Sequence, residues 1–73
     1  MKLGEALLSV REQLVEIGSH DARIEAEVIL CHVLGMDRAA MLRDLQESLI
    51  LEQEDLVTTL VKRRIEGEPL SYI

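Results

Sequence analysis

Apolar residues in the first part of the chain recur at steps of four and three. They stand at Leu3, Leu7, Val10, Leu14 and Ile17. This spacing places them on one face of an α-helix, and Leu8 and Val15 widen the apolar stripe. Gly18 suits the left-handed position that follows a helix. The pattern predicts a first amphipathic helix that ends at Gly18.

A second helix is predicted from the residues between two capping signals. Asp21 is a favourable residue at a helix N-cap, and Gly35 closes the segment after Leu34. The stretch 28–34 is apolar nearly all round the helix. A helix of that kind is typical of the middle of a bundle.

Two further helices are predicted in the second half. Asp37 caps a short helix of about two turns over 38–44. An irregular connector covers 45–51, and a fourth helix covers 52–66 with acidic residues at its start and basic residues at its end, which suits the helix dipole. Its predicted apolar face consists of Leu56, Val57, Leu60, Val61 and Ile65.

The composition agrees with helix-on-helix packing. The chain has 73 residues, 48% of them hydrophobic, but Tyr72 is its only aromatic residue. Its core must therefore be aliphatic, which suits helices better than a sheet. We predict an all-α fold, a small helical bundle of four helices that occupies residues 1–73 as a single domain. Pro69 can start a short C-terminal turn through Tyr72.

The charge balance restricts the partners. The formal net charge is −6, so phosphate backbones repel the chain and we expect no direct nucleic-acid partner. No apolar run approaches the ~20 residues of a membrane span, and acidic Glu5 and Glu12 interrupt the N-terminus where a signal peptide would be apolar. We therefore expect a cytoplasmic protein with no membrane partner.

The sequence offers no catalytic, cofactor-binding or metal site. The only histidines are His20 and His32, and the only cysteine is Cys31. No zinc-type spacing is present, and the glycines form no phosphate-binding loop. We expect Cys31 to be a small core residue and His32 to lie at the polar edge of its helix. Ser48, between Glu47 and Leu49, faintly matches the serine of acyl carrier proteins, but the acidic recognition helix of those proteins does not follow it.

Two blocks of the chain carry a family resemblance. Residues 23–35 read Arg-Ile-Glu-Ala-Glu-Val-Ile-Leu-Cys-His-Val-Leu-Gly, and residues 63–73 contain Arg-Arg followed by Gly-Glu-Pro-Leu-Ser-Tyr-Ile. Both blocks, in this order and separation, resemble the release factor glutamine methyltransferases, called PrmC or HemK. Members of that family often have Ser or Thr where Ile50 stands. Because Ile cannot cap, the fourth helix is expected to begin frayed or to be capped by a neighbour such as Ser48.

The resemblance implies the N-terminal domain of a longer protein. In that family a Rossmann-like domain follows, binds S-adenosylmethionine and carries the catalytic Asn-Pro-Pro-Tyr motif. The enzyme methylates the glutamine of the Gly-Gly-Gln motif in peptide chain release factors. This chain has no asparagine and one proline, so no catalytic or cofactor residue carries over. The family implies that this domain recognises the substrate, with the release factor and its own C-terminal catalytic domain as partners.

Four basic residues are the predicted docking candidates on that interpretation. They are Arg23, Lys62, Arg63 and Arg64. We expect Arg63 and Arg64 to contribute more to docking than to stability, so that charge reversal of Arg64 costs about 0.5 kcal/mol, as at an ordinary surface site. The alternative is a non-enzymatic helical adaptor that binds another protein. An acyl-carrier-like domain fits less well.

Overall fold

A computed structural model describes residues 1–68 of the chain and shows four helices. These are α1 (Leu3–Glu16), α2 (Ala22–Leu34), α3 (Arg38–Arg43) and α4 (Leu51–Ile65). Within 1–68 the only β-type pairing is an isolated bridge between Lys2 and Ser48. The all-α prediction is confirmed, with bounds within one or two residues of those expected. The C-terminal turn predicted at Pro69 lies outside the described residues.

The helix ends show which capping signals act. Gly18 and Gly35 have φ of 83° and 64°, the left-handed conformation that glycine adopts without strain. The Asp37 carboxylate accepts a hydrogen bond from the Ala40 amide at 2.8 Å. Asp21 is the N-cap of α2, as predicted, although its side chain accepts no capping hydrogen bond.

The start of α4 is held by a residue inside the helix. The Ile50 amide donates to Oε1 of Gln53 at 3.0 Å, which satisfies a backbone donor at the N-cap. No hydrogen bond among the described residues assigns this role to the Ser48 side chain. The Gln53 side chain, at the third position of the helix, therefore makes the contact at the N-cap. This contact is one-sided, because the Ile50 side chain has no polar atom that could accept a hydrogen bond in return.

The core lies around α2, which packs against all three other helices. Its members are aliphatic or small, as predicted from the scarcity of aromatic residues. The most completely buried large side chains are Leu3, Leu14, Ile29, Leu30 and Met41. Removing such side chains from water is the main stabilising contribution, at roughly 1.5–3 kcal/mol each.

Several apolar residues that the pattern assigned to buried faces are exposed. Leu8 and Val15 flank the buried stripe of α1, Leu56 and Ile65 flank that of α4, and Val28 lies on the outer side of α2. The physical reason is size. Four short helices cover only part of one another, so each keeps an outer arc in water. The expectation that 28–34 is enclosed all round was therefore too broad.

The connector between α3 and α4 is tied to the first turn of α1. The Gly4 amide donates to the Leu45 carbonyl at 2.9 Å, and the Leu3 amide donates to the Glu47 carbonyl at 2.8 Å. A Cβ at Gly4 would lie 3.2 Å from the Leu45 oxygen. The glycine thus permits a close approach that satisfies amides at the start of α1, which have no partner inside the helix.

We predict that Leu14→Ala lowers the free energy of unfolding by about 2–5 kcal/mol, because Leu14 is 0% exposed and its loss leaves a cavity. Urea unfolding followed by circular dichroism measures the change. Leu51→Ala is the matched control, because Leu51 is 72% exposed, and its effect should stay within about 0.5 kcal/mol. Equal losses in the two variants would contradict the described core.

Candidate functional site

The four predicted docking residues do not form one surface. Arg23 lies on α2, whereas Lys62, Arg63 and Arg64 lie near the end of α4. Arg64 contacts α2 through Glu25. Positions 23 and 25 of a helix point about 200° apart around its axis. The structure therefore separates Arg23 from the α4 cations by the body of α2.

Arg64 joins three elements of the bundle. Its Nε donates to Oε2 of Glu25 at 2.7 Å, and its Nη2 donates to Oε1 at 3.4 Å. The hydroxyl of Ser19, in the loop between α1 and α2, donates to the same carboxylate. The side chains of Arg64 and Glu25 are only 24% and 16% exposed. Arg64 was expected to lie at an ordinary surface site, and the structure instead places its side chain in a contact between α4 and α2.

The Glu25 carboxylate is held in its charged form. Burial acts to raise its pKa, but the hydrogen bonds from Arg64 and Ser19 outweigh burial and bring the pKa below its ordinary value. A charge-assisted, two-point contact of this kind is stronger than a neutral hydrogen bond. The ion pair between Arg64 and Glu25 therefore stabilises the packing of α4 on α2 near neutral pH.

The other two α4 cations remain at the surface. The Arg63 Nε donates to Oε2 of Glu68 at 2.8 Å, and both side chains are about half exposed. The hydrogen bond from Arg63 lowers the pKa of Glu68. Lys62 is exposed and forms no ion pair among residues 1–68. Only Lys62 therefore offers an uncommitted charge at this end.

Arg23 belongs to a cluster around a buried carboxylate. Glu27 of α2 is 8% exposed. Arg38 at the start of α3 donates to it from Nε at 2.9 Å, and Arg23 donates from Nη1 at 3.5 Å. The two arginine side chains are themselves 60% and 55% exposed. Glu27 is thus compensated from two sides, while the guanidinium groups remain accessible to a partner.

A groove of about 180 Å³ runs between α1 and α2 beside this cluster. It is lined by Gly4, Leu7, Leu8, Arg11, Arg23, Ala26 and Glu27. Leu8 is 56% exposed, and Arg11 is exposed and forms no ion pair within 1–68. We call the groove together with Arg38 the arginine groove.

Sequence reasoning identified Arg23 but missed Arg11 and Arg38. Neither residue was among the four predicted docking candidates. A signal for the position of Arg11 was present, because Leu8, Arg11 and Val15 follow at three and four residues and so share one side of α1. No pattern in the sequence predicted the position of Arg38, because its contact with Glu27 depends on how α3 packs against α2.

The cysteine and histidines show no arrangement for chemistry. Cys31 is partly buried, and its Sγ lies 3.8 Å from Sδ of Met41. Burial raises the pKa of its thiol, which disfavours the reactive thiolate. His20 and His32 are exposed. Within residues 1–68 no three His, Cys, Asp or Glu side chains group as metal ligands, and no helix there is long and apolar enough to cross a membrane.

Comparison with known proteins connects the chain to one family. The sequence model of the family described as PrmC N-terminal domain matches residues 5–73. Proteins named release factor glutamine methyltransferase are similar to this chain in sequence. The chain is 33% identical to that of Bacillus cereus over 73 residues, which is 100% of the chain and 25% of the relative.

Other relatives with the same name show similar coverage. The protein of Nitratidesulfovibrio vulgaris is 42% identical over 72 residues, covering 94% of the chain and 24% of the relative. That of Vibrio cholerae is 40% identical over 70 residues, covering 93% and 24%. The chain thus spans about a quarter of the length of these relatives. No solved structure gives a significant match.

We predict that Arg64→Glu destabilises the bundle well beyond the cost of an ordinary surface change. It removes a mostly buried cation and places a carboxylate against Glu25, so we expect a loss of about 2–3 kcal/mol, between the values for exposed and fully buried pairs. Urea unfolding measures it. Arg63→Glu is the matched control and should shift the unfolding midpoint much less, because its partner Glu68 is half exposed. Equal shifts would contradict a structural role of Arg64.

The contribution of Glu25 should depend on pH. Its folded-state pKa lies below the ordinary value of 4.5, so its contribution is fully present above that value. It is lost as the pH falls through the lowered pKa. We expect the difference in unfolding free energy between wild type and Glu25→Gln to be constant near neutral pH and to shrink below pH 4.5. A difference that grew on acidification would contradict this assignment.

Proposed function

Because the chain belongs to the PrmC N-terminal domain family, we propose that it is the substrate-recognition domain of a longer methyltransferase. The longer protein depends on S-adenosylmethionine and methylates the Gly-Gly-Gln glutamine of peptide chain release factors. The observation that carries the proposal is the family match over 5–73, together with relatives that bear the name release factor glutamine methyltransferase.

The chemistry is assigned to a domain that follows in the chain. Residues 1–73 contain no asparagine and no glycine-rich phosphate loop, so the proposed Rossmann-like C-terminal domain binds S-adenosylmethionine and transfers the methyl group. An amide nitrogen is a weak nucleophile, and its reaction depends on close positioning against the methyl donor. A separate domain that holds a large protein substrate contributes to that positioning without contacting the reacting atoms.

The geometry supports a binding role for this domain. Its exposed side chains include unpaired cations and large aliphatic residues, the combination found at protein interfaces. The proposed partners are the release factor and the catalytic domain. Two of the four predicted docking residues, Arg23 and Lys62, keep charges that a partner can reach. The other two form ion pairs within the domain, Arg63 with Glu68 and Arg64 with Glu25.

A non-enzymatic helical adaptor is the second candidate. Exposed leucine and isoleucine side chains on every long helix are compatible with binding another protein. The sequence that follows residue 73 separates the two candidates. A glycine-rich cofactor loop and an Asn-Pro-Pro-Tyr motif would support the methyltransferase, and their absence would support the adaptor.

We predict that deleting residues 1–68 from the longer protein lowers kcat/KM for intact release factor at least about tenfold, because an interface that includes a few well-packed residues is worth more than 1.4 kcal/mol. Activity on a short Gly-Gly-Gln peptide should be retained, since the peptide cannot reach this domain. Methyl transfer from labelled S-adenosylmethionine measures both rates.

Two results would contradict this function. Equal loss on both substrates, with the remaining domain still folded, would mean that residues 1–68 support the catalytic domain rather than the substrate. No methylation of release factor by the intact protein would exclude the proposed enzyme.

A further inference from the structure

The arginine groove concentrates positive charge on an acidic chain. Arg11 and Arg23 line it, and Arg38 pairs with Glu27, which is the single acidic residue among those that line it. The chain as a whole carries a net charge of −6. The excess of positive charge at the groove is thus opposite in sign to the net charge of the chain.

The buried glutamate organises the groove. A carboxylate as buried as Glu27 needs hydrogen-bonding cations, and it receives them from α2 and α3. Two arginines for one carboxylate leave a net positive charge, and each guanidinium has donors beyond those used on Glu27. The arginines are therefore positioned by the fold yet still able to bind a second carboxylate.

Apolar surface lies beside the charge. Leu8 lines the groove and is more than half exposed, and Val15 lies two turns further along the same side of α1 with similar exposure. Between them stands Arg11, which shares this side of the helix. An aliphatic strip with an arginine at its middle and arginines along one edge suits a protein surface better than a small anion, which needs no apolar contact.

We propose that the arginine groove is the docking surface for an acidic patch of the protein substrate, one that presents carboxylates next to an aliphatic side chain. This rests on the proposed function and names the surface and the chemistry of its partner. Carboxylates bind Arg11, Arg23 and Arg38, and the aliphatic side chain packs on Leu8. Bidentate arginine–carboxylate contacts give such a surface orientation as well as affinity.

Arg11 is the residue that tests the groove most cleanly. Arg23 and Arg38 also compensate Glu27, so replacing either one disturbs a buried charge. Arg11 has no ion pair within 1–68 and is exposed, so Arg11→Glu should leave the thermal unfolding midpoint almost unchanged. Arg43→Glu is the matched control, since it makes the same charge change at a side chain of α3 that is 73% exposed and does not line the groove.

The experiment measures methyl transfer by the longer protein to intact release factor and to a short Gly-Gly-Gln peptide. We expect Arg11→Glu to raise KM for release factor about tenfold or more with kcat nearly unchanged, because it replaces attraction by repulsion at a docking contact. Leu8→Ser should raise the same KM by a smaller factor. Neither variant should alter the peptide reaction, and Arg43→Glu should behave as wild type on both substrates.

Salt provides a second readout. Wild-type KM for release factor should rise with sodium chloride because the docking charges are screened, and this rise should be weaker in Arg11→Glu. Unchanged KM for release factor in Arg11→Glu would overturn the inference while leaving the proposed function intact. Equal loss on protein and peptide would place the catalytic domain against the groove and would also overturn it. A wild-type protein that failed to methylate release factor would instead refute the proposed function.

Discussion

The bundle depends on one electrostatic constraint, namely that α2 carries two glutamates that lie mostly out of water. Glu25 and Glu27 point to different sides of that helix, and each must be compensated by neighbouring cations. Glu25 holds the end of α4 through Arg64, and Glu27 holds the start of α3 through Arg38. The aliphatic core supplies most of the stabilisation, while these two carboxylates orient the helices that surround it.

The same constraint decides which cations are available for function. Arg64 is the most buried arginine of the α4 cluster and serves the packing of the bundle. Arg23 and Arg38 serve Glu27 and still expose their guanidinium groups. Arg11 forms an ion pair with neither Glu25 nor Glu27. A basic residue in the sequence is therefore a poor guide to docking until its partner is known, because arginines can be structural, functional or both.

The division of labour proposed for the longer protein follows from size. A chain of this length encloses a small aliphatic core and presents helix surfaces, and its size leaves little interior volume for a cofactor. Recognition needs only a surface of matching shape and charge. A helical bundle that places an arginine groove at its side meets that need, and a following domain can supply the chemistry.

Local interactions made much of this fold predictable from the amino-acid sequence. The spacing of apolar residues and the glycines at 18 and 35 predicted the helices and their ends, since both depend on neighbours within a few positions. The blocks at 23–35 and 63–73 predicted the family. These features need no knowledge of how the helices pack.

Only the tertiary structure decided which charges are used and which apolar flanks are covered. The pairing of Arg64 with Glu25 joins positions 39 residues apart, and that of Arg38 with Glu27 depends on the turn before α3. Neither the exposure of Leu8 nor its place beside Arg23 follows from periodicity, because a helix pattern gives the direction of a side chain but not what lies opposite it. The groove itself forms between α1 and α2, and Arg38 of α3 joins it through its ion pair with Glu27.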